Sequence, residues 1–465
     1  MHRHLLLVGM AACLCGCLRT AKYERPALPV PPAWPESASA QAGTPGAPEA
    51  ASVKWREFFT DTKLQSVIEL ALANNRDLRV AALNVEKVQA LYRIQRAQQY
   101  PTVSVGITGE GYRLPAEMAS NGESSNVGQF TIGATTASWE LDLFGRVRSL
   151  KSAALEQYLA SEQARSATQI ALVAGVAQSY LALAADRENL RLAQATLDAQ
   201  QSTYDLIQHT RDAGMASDLD VRQAQSQVEA ARVDIARFTA QMELDTNALN
   251  LLAGAPVPAN LLPNELGSDR ALKEIGPGVS SDVLLRRPDI LMAEHQLMAA
   301  YADIGAARAA FFPRISLTAG AGLMSGDLSE LFTYGARTWN FAPQVVLPIF
   351  DYGARKANLK VAEVNRDAAI AEYEKAIQSA FREVSDSLVL RARLMEQQVA
   401  TQALLNTLQE TYRLSDVRYK AGIDNYLSVL VAQRSLYGAQ QGLLSLRLAH
   451  LSNLVALYKV LGGGV

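Results

Sequence analysis

The side chains best suited to covalent chemistry are bunched at one end of this sequence. Cys13, Cys15 and Cys17 all fall within the first seventeen residues, and no thiol follows in the rest of the 465. A chain so arranged builds neither a disulfide framework nor a cysteine metal site in its body. The five histidines (His2, His4, His209, His295 and His450) are scattered, with no pair at ligand spacing, so neither a metal site nor histidine-based catalysis is expected. Asp and Glu are spread along helical stretches without a clustered acid–base pair, and Gly109-Glu110-Gly111 has no following helix to hold a phosphate. The expectation is a non-enzyme with no catalytic, cofactor-binding or metal-binding residues. A net charge of −2 gives no pull toward nucleic acid.

What remains is a thiol in a processing context. His2 and Arg3 precede an apolar run from Leu5 that ends at Leu14-Cys15-Gly16-Cys17. The run is too short to span a bilayer and fits a signal-peptide core. Its last four residues resemble a bacterial lipoprotein signal, in which the cysteine is acylated and becomes the new N-terminus. Residues 1–16 are then the signal, and Cys17 carries the lipid. Leu18 stands where Asp favours inner-membrane retention in such lipoproteins, so the resemblance implies the outer membrane. A plain hydrophobic signal peptide is the competing reading. Residues 17–54 hold Pro26, Pro29, Pro31, Pro32, Pro35, Pro45 and Pro48 among Ala, Ser and Gly. That composition predicts an extended, structureless linker that lets the anchor lie away from the folded body.

The body is organised around one short stretch that occurs twice. Ala213, Gly214, Leu219, Val221, Ala224 and Gln225 recur 208 residues later as Ala421, Gly422, Leu427, Val429, Ala432 and Gln433. Each copy lies between long segments without proline, so each reads as a turn joining two helices. Gly214 and Gly422 suit the left-handed residue that closes a helix. Ser217 or Asp218, and Asp424 or Asn425, suit the N-cap of the next one.

The rest of each half repeats as well. Leu78 to Gln99 reads as a helix stopped by Pro101. Val103, Val105 and Ile107 alternate with small polar residues as a strand. Ser120 to Gly128 reads as a loop, and a second strand runs through Phe130 and Ile132 to Trp139 and Leu141. Phe144-Gly145-Arg146 then opens a helix reaching Arg211. In the second half Arg287-Pro288-Asp289-Ile290 starts a helix, with proline where its missing N–H costs nothing. Ile315 to Ala321 alternates as a third strand, and Trp339 to Ile349 as a fourth, before a helix to Lys420. The predicted divisions are a first repeat over 55–254, an inter-repeat linker over 255–285, and a second repeat over 286–465.

Gly145 to Arg211 is 67 residues, about 100 Å of helix. A helix of that length cannot bury itself in one globular core. The spacing of Leu183, Leu190, Leu197 and Tyr204 fits side-by-side coiled packing. Four strands leave open edges, untenable in lipid unless several copies close one barrel. Their alternation of apolar and small polar residues suits such a barrel. A small soluble sheet capping a coiled coil is the other reading.

Leu14 to Cys17, Arg287-Pro288-Asp289-Ile290, Leu141-Asp142-Leu143-Phe144-Gly145-Arg146 and the two turn stretches together resemble the TolC family of outer membrane efflux proteins, lipoprotein branch. The resemblance runs from Trp55 to about Gly462. It implies a mainly α fold with membrane β strands, in which a homotrimer shares one twelve-stranded barrel above a helical tube crossing the periplasm of a Gram-negative bacterium. It further implies a passive exit duct for drugs or other small molecules, fed by an inner membrane efflux pump through a periplasmic adaptor. The turns at Gly214, Ser217 and Asp218, and at Gly422, Asp424 and Asn425, are then the adaptor-facing tips. A non-conducting, lipid-anchored coiled-coil envelope tether is the alternative, although it has no need of four amphipathic strands.

In that family the tube narrows near the second tip. The positions that carry Asp in its best-known member are Ser428 and Val431 here, so a strong acidic ring is not carried over. The lipoprotein branch places an apolar ring at Leu427. The resemblance therefore implies a mainly hydrophobic gate of three Leu427 side chains, with Asp220 and Asp424 setting a modest cation preference. The plainer reading has Leu427 packing between helices and both aspartates capping or solvating helix starts.

Overall fold

The computed structural model describes residues 23–34, 53–120, 122–267, 272–273, 275 and 281–463. The helices are α1 (Trp55–Phe58), α2 (Thr62–Asn74), α3 (Arg76–Ala97), α4 (Arg146–Asp212), α5 (Asp218–Ala253), α6 (Pro288–Ala309), α7 (Ala354–Lys420) and α8 (Tyr426–Val460). The strands are β1 (Val103–Leu114), β2 (Ser125–Glu140), β3 (Arg314–Ser325) and β4 (Arg337–Val346). The duplication is visible in the lengths. α3 and α6 each have 22 residues, β1 and β3 have 12, and α4 and α7 have 67. The chain forms two compact units, and each draws on both repeats. The sequence boundary at 255–285 is thus not the boundary between the compact units.

One unit comprises Asn84–Ser161 and Met292–Tyr373, with the described residues up to Ala27. Its centre is an antiparallel sheet in the order β1-β2-β3-β4. The register runs from Val103 opposite Thr136 to Leu114 opposite Ser125, and Arg314 faces Val346 on the other side. Pairing with all of β1 draws Ser125 to Gly128 into β2, so the predicted loop is shorter than expected. β4 stops at Val346 because β3 begins at Arg314 and offers no further partner. Leu347 and Ile349 therefore lie outside the strand, next to Pro348, which has no N–H to give. Between Thr136 and Trp139 the β2–β3 register shifts at a bulge, where Ser138 adopts φ +51° and its N–H donates to Thr318 Oγ1. Gly133 and Gly322 face each other across the same pair. A Cβ on Gly322 would overlap the Ile132 carbonyl, so the backbones meet where only glycine fits.

The Leu141-Asp142-Leu143-Phe144-Gly145-Arg146 stretch turns the chain from sheet to helix. Asp142 accepts the N–H groups of Val147 and Arg148, occupying the open end of α4. Arg146 forks onto Glu140 at 2.9 and 2.7 Å, and Arg314 reaches the same carboxylate at 2.7 Å. In the second half Asp351 repeats the device, accepting from the N–H groups of Gly353 and Arg355. Glu294 of α6 is buried, with a side chain 4% exposed. Tyr23 Oη donates to it at 2.6 Å and Arg25 forks onto it at 2.7 and 2.8 Å. Residues 23–34 contain no helix or strand, yet they are docked rather than loose, because a buried carboxylate requires such partners.

The other unit comprises Leu28–Leu83, Glu162–Leu291 and Glu374–Val465, as far as these are described. Asp61 caps α2, whose Leu64, Val67, Ile68 and Ala71 are buried. Phe58 stacks on Tyr458 with centroids 4.2 Å apart, and Trp34 stacks on Phe381. α5 ends at Gly254 with φ +69°, packed against the Asn74 carbonyl.

Candidate functional site

The two tip turns are built alike and finished differently. α4 ends where Gly214, at φ +77°, bends the chain, and the N–H groups of Gly214 and Met215 close on the carbonyls of Arg211 and Thr210. α7 ends the same way at Gly422, φ +71°, with Gly422 and Ile423 closing on Tyr419 and Arg418. Such left-handed closures satisfy carbonyls that the helix end leaves unpaired.

At the first tip Ser217, not Asp218, is the N-cap. Its Oγ accepts from the Asp220 N–H, and Asp220 Oδ2 accepts from the Ser217 N–H at 3.1 Å and from its hydroxyl at 2.7 Å. This is a reciprocal capping box. Asp218 instead pairs with Arg211 at 3.2 Å. At the second tip Asn425 occupies the cap position, but its side chain makes no cap bond. Asp424 is turned back across the turn to Arg418, which forks onto it at 2.6 and 3.0 Å. That hydrogen-bonded guanidinium holds the Asp424 carboxyl below its ordinary value. Both aspartates are therefore committed to partners within their own turns.

The tips pack together. Ile207 of α4, Val221 and Ala224 of α5, and Tyr426, Val429 and Leu430 of α8 form one buried cluster, flanked by Tyr204, Ala216, Tyr412 and Tyr419. The Tyr419 and Tyr426 rings lie 5.7 Å apart. Burial, then Tyr419, Tyr412 and Asp220, push the Tyr426 phenol up to about 12. Burial and Asp220 also raise Tyr419. The recurrence of Tyr204 as Tyr412 is legible in the sequence; that these side chains gather with Tyr419 and Tyr426, one heptad apart around the second turn, went unread.

Leu427 is not in that cluster. It is 48% exposed in the chain, and Val431, one turn further along α8, is 56% exposed. Ser428 lies between them, its Oγ 3.4 Å from Asn425 Oδ1. Met215, Leu219 and Ile423 are likewise exposed at the two tips. The surface here mixes exposed apolar side chains with charged ones; Asp218 and Asp424 are paired with arginines, whereas Asp220 is held only by the neutral donors of Ser217. Among the described residues no group of three or more His, Cys, Asp or Glu side chains is placed to hold a metal ion. Cys17, the expected lipid attachment, lies outside the described residues.

Comparison with known proteins gives this arrangement its context. Residues 67–255 and 279–463 each match the outer membrane efflux protein family, one match per repeat. The chain is 47% identical over 466 residues to the probable efflux pump outer membrane protein TtgC of Pseudomonas putida, covering 100% of this chain and 96% of the relative. It is 42% identical to the outer membrane protein OprJ of Pseudomonas aeruginosa, covering 98% and 94%. A solved membrane protein from Pseudomonas aeruginosa superposes with a TM-score of 0.91 at 42% identity, covering 96% of this chain and 98% of that one. The open state of the MtrE outer membrane channel of Neisseria gonorrhoeae gives 0.87 at 37% identity, covering 95% and 97%.

Proposed function

The chain belongs to the outer membrane efflux protein family, and from that premise we propose how it conducts: as a homotrimer whose four-stranded sheets join into one twelve-stranded barrel above a helical duct. It is the outer membrane channel of an efflux pump system and not an enzyme. The observation that carries the trimer is the sheet itself. β1 and β4 are its two edges, and apolar side chains along both are bare, among them Val105, Ile107, Trp339 and Phe341. Unpaired backbone in lipid costs several kcal/mol per group, and a four-stranded sheet cannot close on itself. Neighbouring copies supply the missing partners, β1 against β4.

In this reading the apolar tips dock a periplasmic adaptor that links the duct to an inner membrane pump. The cargo is of the kind named for relatives, which include toluene, solvent and antibiotic efflux proteins. Three Leu427 side chains form the narrow, apolar entry. Asp424 contributes little field there, being paired with Arg418, whereas Asp220, held only by the neutral donors of Ser217, sets a modest cation preference. Cys17 is acylated, and the segment from Tyr23 onward runs from that anchor onto the folded body.

The test is ion conductance of the purified protein in planar bilayers, read beside native mass spectrometry in detergent. Three chains and a discrete single-channel current are expected. A folded monomer would overturn the trimer, and a trimer without current would favour the coiled-coil tether.

A further inference from the structure

Among the described residues the four strands carry three basic side chains: Arg113 near the end of β1, Arg314 at the start of β3 and Arg337 at the start of β4. Arg314 stands at the end of the sheet where the helices join, and Glu140 takes it up at 2.7 Å. The other two stand at the opposite end, beside the β1–β2 and β3–β4 loops. Arg113 donates to Ser124 Oγ at 3.1 Å. Arg337 lies over the Tyr334 ring, 4.4 Å from its centroid, a contact that steadies the guanidinium without using its N–H groups. Neither has a carboxylate partner among the described residues.

Both arginines share the apolar face of the sheet. Side chains alternate along a strand, and residues paired across strands lie on one face. Arg337 pairs with Leu323, Leu323 with Ile132, and Ile132 with Ile107. Trp339 and Phe341 follow Arg337 at two-residue steps along β4, and both are bare. Arg113 is in step with Val103, Val105 and Ile107, in a β1–β2 register that runs unbroken to Leu114. A lipid-facing arginine is costly at the middle of a bilayer and nearly free at its edge. The two guanidiniums therefore mark the outer edge of the lipid-facing band. Tyr334, exposed between them and the loop, suits the same boundary, with an apolar ring and a polar tip.

We propose that Arg113 of one protomer and Arg337 of the next form a cradle, at each seam of the barrel, for a phosphate group of an outer-leaflet lipid. The cradle depends on the trimer proposed above. β1 and β4 are opposite edges of one sheet, so one protomer cannot complete it, whereas closure sets the two edges about 4.8 Å apart. Phosphate is the matching ligand, because each guanidinium fork can hold two of its oxygens at once. A lipid is favoured over a free anion by what lies beneath. Ile107, Trp339 and Phe341 continue the same face toward the middle of the band, where acyl chains would run. The exposed acids Glu117, Glu123, Asp327 and Glu330 are on the loops, outside the strands. They could hold such a lipid only through a bridging cation.

Native mass spectrometry of the full-length protein in detergent, with lipid A as the probe, tests the cradle. The wild-type trimer should take up as many as three copies. Arg113→Gln and Arg337→Gln should each weaken uptake by roughly tenfold or more. Arg382→Gln, an exposed substitution on the shaft of α7, should not. Arg113→Lys keeps the charge without the fork, and its uptake should fall between. Trimer mass and single-channel conductance should stay at wild-type values in all four variants, since both rim arginines face away from the lumen. Equal uptake by the wild type and the two glutamine variants at the rim overturns the cradle and leaves the trimer standing. A folded monomer overturns both. Lipid A stripped of its phosphates should not bind, and equal binding refutes phosphate recognition. Uptake that EDTA abolishes but the rim substitutions spare assigns the lipid to cations on the loop acids, and the cradle is wrong. Displacement by inorganic phosphate as readily as by lipid A makes it a free-anion site, and the lipid assignment is wrong.

Discussion

Arg287 donates from Nη1 to the carbonyl of Val460 at 2.6 Å, joining the start of α6 to the last residue of α8. The same guanidinium holds Asp289 and Glu383 at 2.7 and 2.9 Å. The Arg-Pro-Asp run that opens the second repeat is thus a clasp. Proline sets the first helical residue, Asp289 aligns the guanidinium, and the guanidinium caps a helix end far away in sequence. Arg287 is 8% exposed, and removing it takes the donor from the Val460 carbonyl, whereas Asp289 and Glu383 stay in contact with water. Arg287→Ala is expected to cost roughly 1–3 kcal/mol, read as a lowered thermal transition. Glu383→Gln should cost less, about 1 kcal/mol at most, because its carboxylate is 44% exposed. Equal losses in the two variants would contradict the clasp.

The facing glycines of β2 and β3 make a second prediction. A side chain at Gly322 meets the Ile132 carbonyl and the Cα of Gly133. Gly322→Val should therefore push the two strands apart and cut the yield of folded protein in the outer membrane. Gly106→Ala, on β1 with open space around its missing Cβ, serves as the control and should assemble normally.

Much of this fold was legible because its signals are long. A stretch of 67 residues without proline, and a motif repeated 208 residues on, survive uncertainty at single positions. The expected strands stood where their alternation placed them, and their ends did not, because an end is set by the partner's length. α2 went unread although Asp61 caps it and Leu64, Val67, Ile68 and Ala71 repeat at helical spacing. At the tips the glycines were legible, being demanded by a positive φ, whereas the Arg418–Asp424 pair was not. Six residues apart across a turn matches no helical or strand period.

The Arg418–Asp424 pair predicts a pH-dependent second tip. The carboxyl of Asp424 titrates below its ordinary value because it is hydrogen-bonded to Arg418. A lowered carboxyl contributes stability that is present above its unfolded pKa and disappears as pH falls through the folded one. Asp424→Asn should speed amide hydrogen exchange over Lys420 to Asn425 at neutral pH, after correction for intrinsic exchange. It should leave the strongly acidic rate unchanged. The first tip, closed by the Ser217–Asp220 box, should respond to Ser217→Ala and not to Asp424→Asn.

Leu427 tests the gate. It leans on no core of its own chain, being 48% exposed, whereas its neighbours Tyr426 and Leu430 are 2% and 6% exposed. Truncation of a buried leucine costs roughly 2–5 kcal/mol through the cavity left behind, and Leu430→Ala should show a loss of that order. Leu427→Ala removes little intrachain packing, so the trimer should keep its thermal transition. If three Leu427 side chains close the entry, the same variant should raise single-channel conductance and let antibiotics leak into cells that carry it. Replacing the bulk with Leu427→Met should restore the wild-type current. A fall in trimer stability without a rise in current would place Leu427 in the seam between protomers instead. An unchanged current with normal trimer yield would remove it from the gate altogether. Asp424→Asn in the same bilayers completes the test, since an aspartate already held by Arg418 should alter cation preference only slightly.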